Sequence, residues 1–192
     1  MSESEETFYT DDRWQNWLDR VAEEDLDPEN EDSARLLLNL QDDTAIAVAK
    51  IVAAYDEDRL GEEEAIDELA EIRDIVLAEV EMDSEEKTML IDGVQTSLVC
   101  VFYTAEEYVL GGPVEEGTVA EYVEAAAAAE ADEDVDAALG FLVQAGTLII
   151  DGEELPMDAV EDLEYGLVSE WVNGLDSLQS AMADPEVVEE DE

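Results

Sequence analysis

Apolar residues recur at intervals of three and four along almost the whole chain, and glycine and proline gather at the ends of the segments so defined. That period places one apolar stripe on each of a series of helices and predicts an all-α protein. The first stripe is Trp14, Trp17, Leu18 and Val21, on a helix that starts at Thr10 or Asp11 and is broken by Pro28 and Asn30. The second helix, about Asp32 to Tyr55, contains Leu36-Leu37-Leu38 and the apolar run Ala45 to Ala54. A helix apolar on every side is a central one. After Gly61 a third helix shows Ile66, Leu69, Ile72, Val76 and Val80 on one face. The fourth, capped by Asp83 or Ser84 and running to about Leu110, is apolar on two sides: Leu90, Val94, Leu98, Val101, Ala105 and Val109 on one, Ile91, Val99 and Tyr103 on the other. It is predicted as the second central helix.

Gly111-Gly112-Pro113 stops that helix and is the one credible hinge. A fifth helix follows from about Thr118 through the Ala125 to Ala129 run, and a sixth from about Glu133 to Leu148, with helix preferred to a strand stub at Ile149-Ile150-Asp151-Gly152. Pro156 opens a single last helix with the stripe Val160, Leu163, Leu167, Trp171, Leu175, Leu178 and Met182. The predicted fold is a single-domain, all-α bundle of about seven helices over residues 10–183, with two central apolar helices. Residues 1–9 are expected to be a disordered N-terminus and 184–192 an acidic disordered tail.

Charge changes the picture. Asp and Glu number 57 against 7 Lys and Arg, a net charge of −50 in 192 residues. Such an excess destabilises a compact domain by self-repulsion unless salt screens it, and at ~1 M salt the Debye length falls to about 3 Å. The acids are spread over every segment, so the favoured reading is a cytosolic protein adapted to high salt, ahead of an acidic mimic of nucleic acid. Met1 is followed by Ser2-Glu3-Ser4-Glu5-Glu6, which does not resemble a secretory signal, and the uncharged runs 93–105 and 137–150 fall short of the ~18 residues of a membrane span. Without a basic patch, neither anionic membranes nor nucleic acid are expected partners.

The absence of histidine removes Ser-His-Asp triads, Cys-His dyads and His-ligated metals. The single cysteine, Cys100, has no internal disulfide partner, and between Val99 and Val101 on a buried helix it behaves as a small hydrophobe. Asp56-Glu57-Asp58-Arg59-Leu60-Gly61 with Asp67 has several positions of a calcium loop, but Leu60 and Glu63 depart from it, and a helix-to-helix turn is the better account. Glu68 with Glu71 and Glu161 with Glu164 have the spacing of magnesium-holding carboxylates in all-helical nucleotide pyrophosphatases. With acids this abundant, chance supplies about 17 such pairs, so the spacing carries almost no information. More informative are Asn39, Asp42 and Asp43 on the second helix and Asp92, Gln95 and Thr96 on the fourth. A carboxylate in an apolar helix must pair with Arg35 or Lys50, lie at a helix end or line a pocket. The preferred account puts Asp42 and Asp43 at a break, capping the second half of the helix.

Three strings, Phe8 to Trp17, Leu36 to Asp43 and Ile91 to Cys100, resemble an uncharacterised archaeal protein family abundant in haloarchaea. The resemblance covers nearly the whole chain except the tail. It implies a helical fold and a salt-adapted cytosol, and no activity, cofactor or catalytic residue. Because catalytic constellations are absent while amphipathic helices and interface-suited tryptophans are present, the expected function is a non-enzymatic adaptor or regulatory subunit with a protein partner, docking on the Trp14 and Trp17 face or the Trp171 stripe, although those tryptophans are more often core anchors. No residue is assigned to catalysis, a cofactor or a metal. The alternatives are the nucleic-acid mimic and a magnesium-dependent phosphohydrolase, the latter requiring three converging acids near Asp42 or Asp92.

Overall fold

The computed structural model describes residues 9–24, 29 and 31–183; the expected tail, the break at Pro28 and Asn30, and all of the expected N-terminal segment but Tyr9 lie outside them. Eight helices and no strand are present among the described residues: α1 Asp11–Glu23, α2 Glu31–Asp56, α3 Glu62–Val76, α4 Glu85–Gly111, α5 Val119–Ala131, α6 Val135–Ile150, α7 Met157–Glu161 and α8 Leu167–Ala183. The fold is all-α.

Local chemistry starts and stops these helices. Thr10 Oγ1 accepts from the Arg13 N–H at 3.1 Å, and Ser84 Oγ from the Lys87 N–H, satisfying first-turn donors that have no partner within the helix. Thr118 and Glu121 form a reciprocal capping box at 3.2 and 3.0 Å. Gly112 takes φ 74° as the chain leaves α4, a conformation that costs glycine little and other residues more.

The centre of the bundle is α4, which packs against α2, α3, α6 and α8. By length and composition it is apolar enough to cross a membrane, but half of that window is buried among its neighbours, the position of a core helix. Two crossings depend on missing side chains. A methyl group at Gly174 would overlap the Ser97 carbonyl oxygen, and one at Gly146 would overlap the Thr104 side chain, so α8 and α6 approach α4 more closely than any larger residue permits. Tyr9, Trp14, Phe102, Leu142 and Trp171 belong to one continuous core, with a small satellite of Ala45, Ile46, Ala49 and Ala181.

Two expectations are corrected. The last stripe is divided between two helices: α7 ends at Glu161 and α8 begins at Leu167. Glu130, from the end of α5, accepts the Val168 N–H at 3.1 Å, and its carboxylate fills the space that a side chain at Gly166 would need. A carboxylate at a helix N-terminus is favoured by the exposed amides and the dipole, so α8 starts here although the apolar period runs on. Nor is there a break in α2, which is continuous through Asp42 and Asp43 because the Asp43 carboxylate is used elsewhere.

Candidate functional site

The polar residues of the two apolar helices do not converge on one pocket. Asp43 is 1 % exposed at its side chain and accepts from Arg13 Nε at 2.7 Å, from Arg13 Nη2, and from Trp17 Nε1 at 2.8 Å. The carboxylate is thus met by a cation and an indole donor from α1, not by a residue of its own helix. Arg13 also lies 5.9 Å from the Tyr9 ring centre, and Arg20 lies 4.7 Å from that of Trp17. The enclosed Tyr9 hydroxyl, beside Thr44 and Asp43, has no partner at hydrogen-bond geometry, and burial pushes its pKa above the ordinary tyrosine range. Together these groups form a clasp that fixes α1 to α2.

Asp42, one residue earlier, turns toward α8. Burial raises its pKa, with Ser177 opposing the shift and Asp176 adding to it. Neighbouring Gln41 donates from Nε2 to Ser177 Oγ at 2.9 Å and to the Asn173 carbonyl at 3.2 Å. Gln95 Nε2 donates to the Val76 and Ala78 carbonyls, each at 2.8 Å, closing the end of α3. Asn39 and Asp92 are exposed, and the Thr96 hydroxyl donates to the Asp92 carbonyl at 2.9 Å.

The acid pairs and the calcium-like loop are equally dispersed. Glu71, Glu161 and Glu164 are exposed, and Glu68 is half-buried on α3. Asp56 ends α2 and accepts from the Tyr108 hydroxyl at 3.1 Å, Arg59 pairs with Glu57 at 2.7 Å, and Gly61 is the N-cap of α3, with its N–H donated to Glu64 at 2.9 Å. The segment is a turn. Among the described residues no three Asp, Glu or Cys side chains come close enough together to hold a metal ion. Cys100 is fully buried, and burial pushes its thiol up to about 12. Trp14 and Trp171, 1 % and 5 % exposed, are core anchors, so neither offers the docking face proposed for it as a free surface.

Two grooves lie elsewhere, and sequence reasoning named neither. The first, about 500 Å³, runs between α1 and the end of α3 with the segment after it. Its accessible apolar lining is the half-buried Ile75, Val80 and Met82, over the buried Trp14 and Leu18, and six carboxylates frame it: Asp11, Asp19, Asp74, Glu79, Glu81 and Asp83. Both walls are tied to α4: the α3 side through the Gln95 bonds and through Thr88 Oγ1 accepting from the Met82 N–H at 3.1 Å, and α1 through Lys87 Nζ donating to the Ala22 carbonyl at 2.7 Å.

The second groove, about 390 Å³, lies between α4 and α6. Helix α4 contributes the stripe Tyr103, Glu106, Glu107 and Leu110, and α6 the stripe Asp136, Leu139, Gly140, Val143 and Gln144. Glu106 is held at 2.5 Å by Arg73. A shape with no reactive constellation in it can bind a surface, and both grooves have that character.

No curated protein and no solved structure matches the chain. Over residues 7–191 it matches the family described as an uncharacterized protein conserved in archaea (DUF2150), and the chain belongs to that family.

Proposed function

We propose that this protein is a non-enzymatic interaction subunit of a salt-rich cytosol, and that it docks a polypeptide segment of a partner protein in the α1–α3 groove. The observation that supports this is the groove itself, an apolar floor inside a ring of six carboxylates with no cation among its lining residues. Apolar side chains on the partner would supply affinity that persists in molar salt, where exclusion of salt from the surface strengthens burial. Lysine or arginine beside them would supply selectivity through the rim, at a strength that salt reduces. The charge of −50 supports the salt-rich setting, since internal cations meet so few of the acids. The phosphohydrolase alternative has no set of three converging acids among the described residues to support it.

The test fills the groove. Ala78 lines it with an exposed side chain, so Ala78→Trp occupies the floor while leaving the backbone bonds of α3 in place. Affinity capture from native cytosol at about 2 M KCl should recover a stoichiometric protein with the wild type and lose it with the variant, at equal far-ultraviolet ellipticity. Recovery of no partner, or of one indifferent to the tryptophan, sinks the proposal. Binding that collapses between dilute and molar salt would favour the acidic mimic instead.

A further inference from the structure

Helix α1 is held differently from the helices at the centre of the bundle. Three of its thirteen residues are buried, Trp14, Leu18 and Val21, against eight of sixteen in α6, and it packs mainly on α2 and α3 at the edge of the fold. A helix of that length is marginal in water by itself, so its state is set by the strength of its docking.

Three features of the docked state work against those apolar contacts. The Asp43 carboxylate is 1 % exposed at its side chain, and its donors are Arg13 and Trp17 of α1. Enclosing that pair takes charge out of water, a cost that the attraction between the partners offsets only in part. The Tyr9 hydroxyl, on the residue before the cap Thr10, belongs to a side chain that is 7 % exposed and has no partner at hydrogen-bond geometry. Water satisfies it once α1 lifts, so its desolvation opposes docking. Carboxylates also line the α1–α3 groove from both sides: Asp11 and Asp19 on α1, Asp74, Glu79, Glu81 and Asp83 on the other wall. Like charges on two walls push them apart.

We infer that residues 9–23 form a latch that undocks as one unit while α2 to α8 stay folded, and that a cationic segment lying in the groove closes it. The second half rests on the reading of the α1–α3 groove as a partner site and supplies its regulation. The groove exists only while α1 is docked, and cations between its walls replace repulsion by attraction. Partner and latch therefore favour each other by one and the same factor. The open state is stabilised by hydration of Asp43, Arg13 and Tyr9, the closed state by burial of Trp14, Leu18 and Val21.

Hydrogen exchange of the full chain in about 1 M KCl tests both halves without a partner, so a failed capture experiment and a failed latch are told apart. Amides of residues 15–22 should exchange as one set, at least about a hundred-fold faster than those of residues 94–109 in α4. Leu142 is fully buried in α6, which packs on α4, α5 and α8. Leu142→Val weakens the fold and not the docking, so it should speed exchange in α4 about fivefold and leave α1 unchanged. Tyr9→Phe removes the enclosed hydroxyl and should slow exchange in α1 about tenfold. Asp19→Lys sets a cation on the rim and should slow it about threefold. Equal rates in α1 and α4, or a Leu142→Val variant that speeds both alike, overturn the latch. A Tyr9→Phe variant that leaves α1 unchanged overturns the opposition between hydroxyl and docking on which it stands. An Asp19→Lys variant that exchanges like the wild type overturns its closure by cations.

Discussion

The two grooves differ in what holds them open. The α4–α6 groove is cut into the core: its walls are two apolar helices brought together where Gly146 meets Thr104. The α1–α3 groove is assembled from the periphery, because one wall is a thirteen-residue helix that owes its place to Trp14, Leu18 and Val21 and to a polar clasp around Asp43. A groove made of core helices can be lost only with the fold. One made by a docked helix can be lost alone, so the two grooves are separable.

The largest expected effect separates them. Arg13→Met removes the cation from a carboxylate that is 1 % exposed, and an uncompensated buried charge costs about 3–5 kcal/mol. Chemical denaturation should show that loss. The variant should also lose the partner captured through the α1–α3 groove while keeping the walls of the α4–α6 groove in place. Asp43→Asn is milder, about 1–3 kcal/mol, because an amide oxygen still accepts from Trp17 and Arg13, partly exposed, can turn to water. Should the two variants cost the same, the clasp is not the asymmetric device described.

Gly174→Ala joins what Arg13→Met separates. The added methyl group pushes α8 from the Ser97 carbonyl and displaces α4, which is a wall of one groove and the anchor of the other. Overpacking of this kind costs about 1–3 kcal/mol, and capture of a partner in the α1–α3 groove should weaken with it.

The smallest effect belongs to Asp42, which touches neither groove. Burial raises its folded-state pKa, so the native chain holds an extra proton between the unfolded and folded values. Stability from this group therefore falls as pH rises from the unfolded pKa through the folded one, and its penalty is complete above the folded value. Asp42→Asn should raise the melting temperature slightly at neutral pH, and the gain should vanish on acidification below the unfolded pKa.

What could be read along the chain was what depends on near neighbours. The caps at Thr10 and Ser84, the stop at Gly112 and the burial of α4 are set by residues within a turn or two. What escaped was settled by residues distant in sequence. The gap between α7 and α8 is made by Glu130, and the continuity of α2 rests on Arg13. Arg13 and Trp17 are four apart, so they share a face of α1, and that pairing of a cation with an indole donor was the one available hint of a buried carboxylate's partner. The grooves left still less trace. Whether a glycine is demanded by packing or stands in open space is a property of its surroundings, and Gly140 and Gly146 look alike as letters.

Cys100 has a practical consequence. Its thiol is the only one in the chain, fully enclosed, and pushed up to about 12, so at neutral pH it is neither reachable by a reagent nor present as thiolate. The wild-type sequence is therefore a silent background for site-specific labelling. A single cysteine placed on the rim of either groove would carry a spin label or fluorophore alone, and distances between labelled copies, or between a label and a docked peptide, could be measured without first removing a native residue from the core.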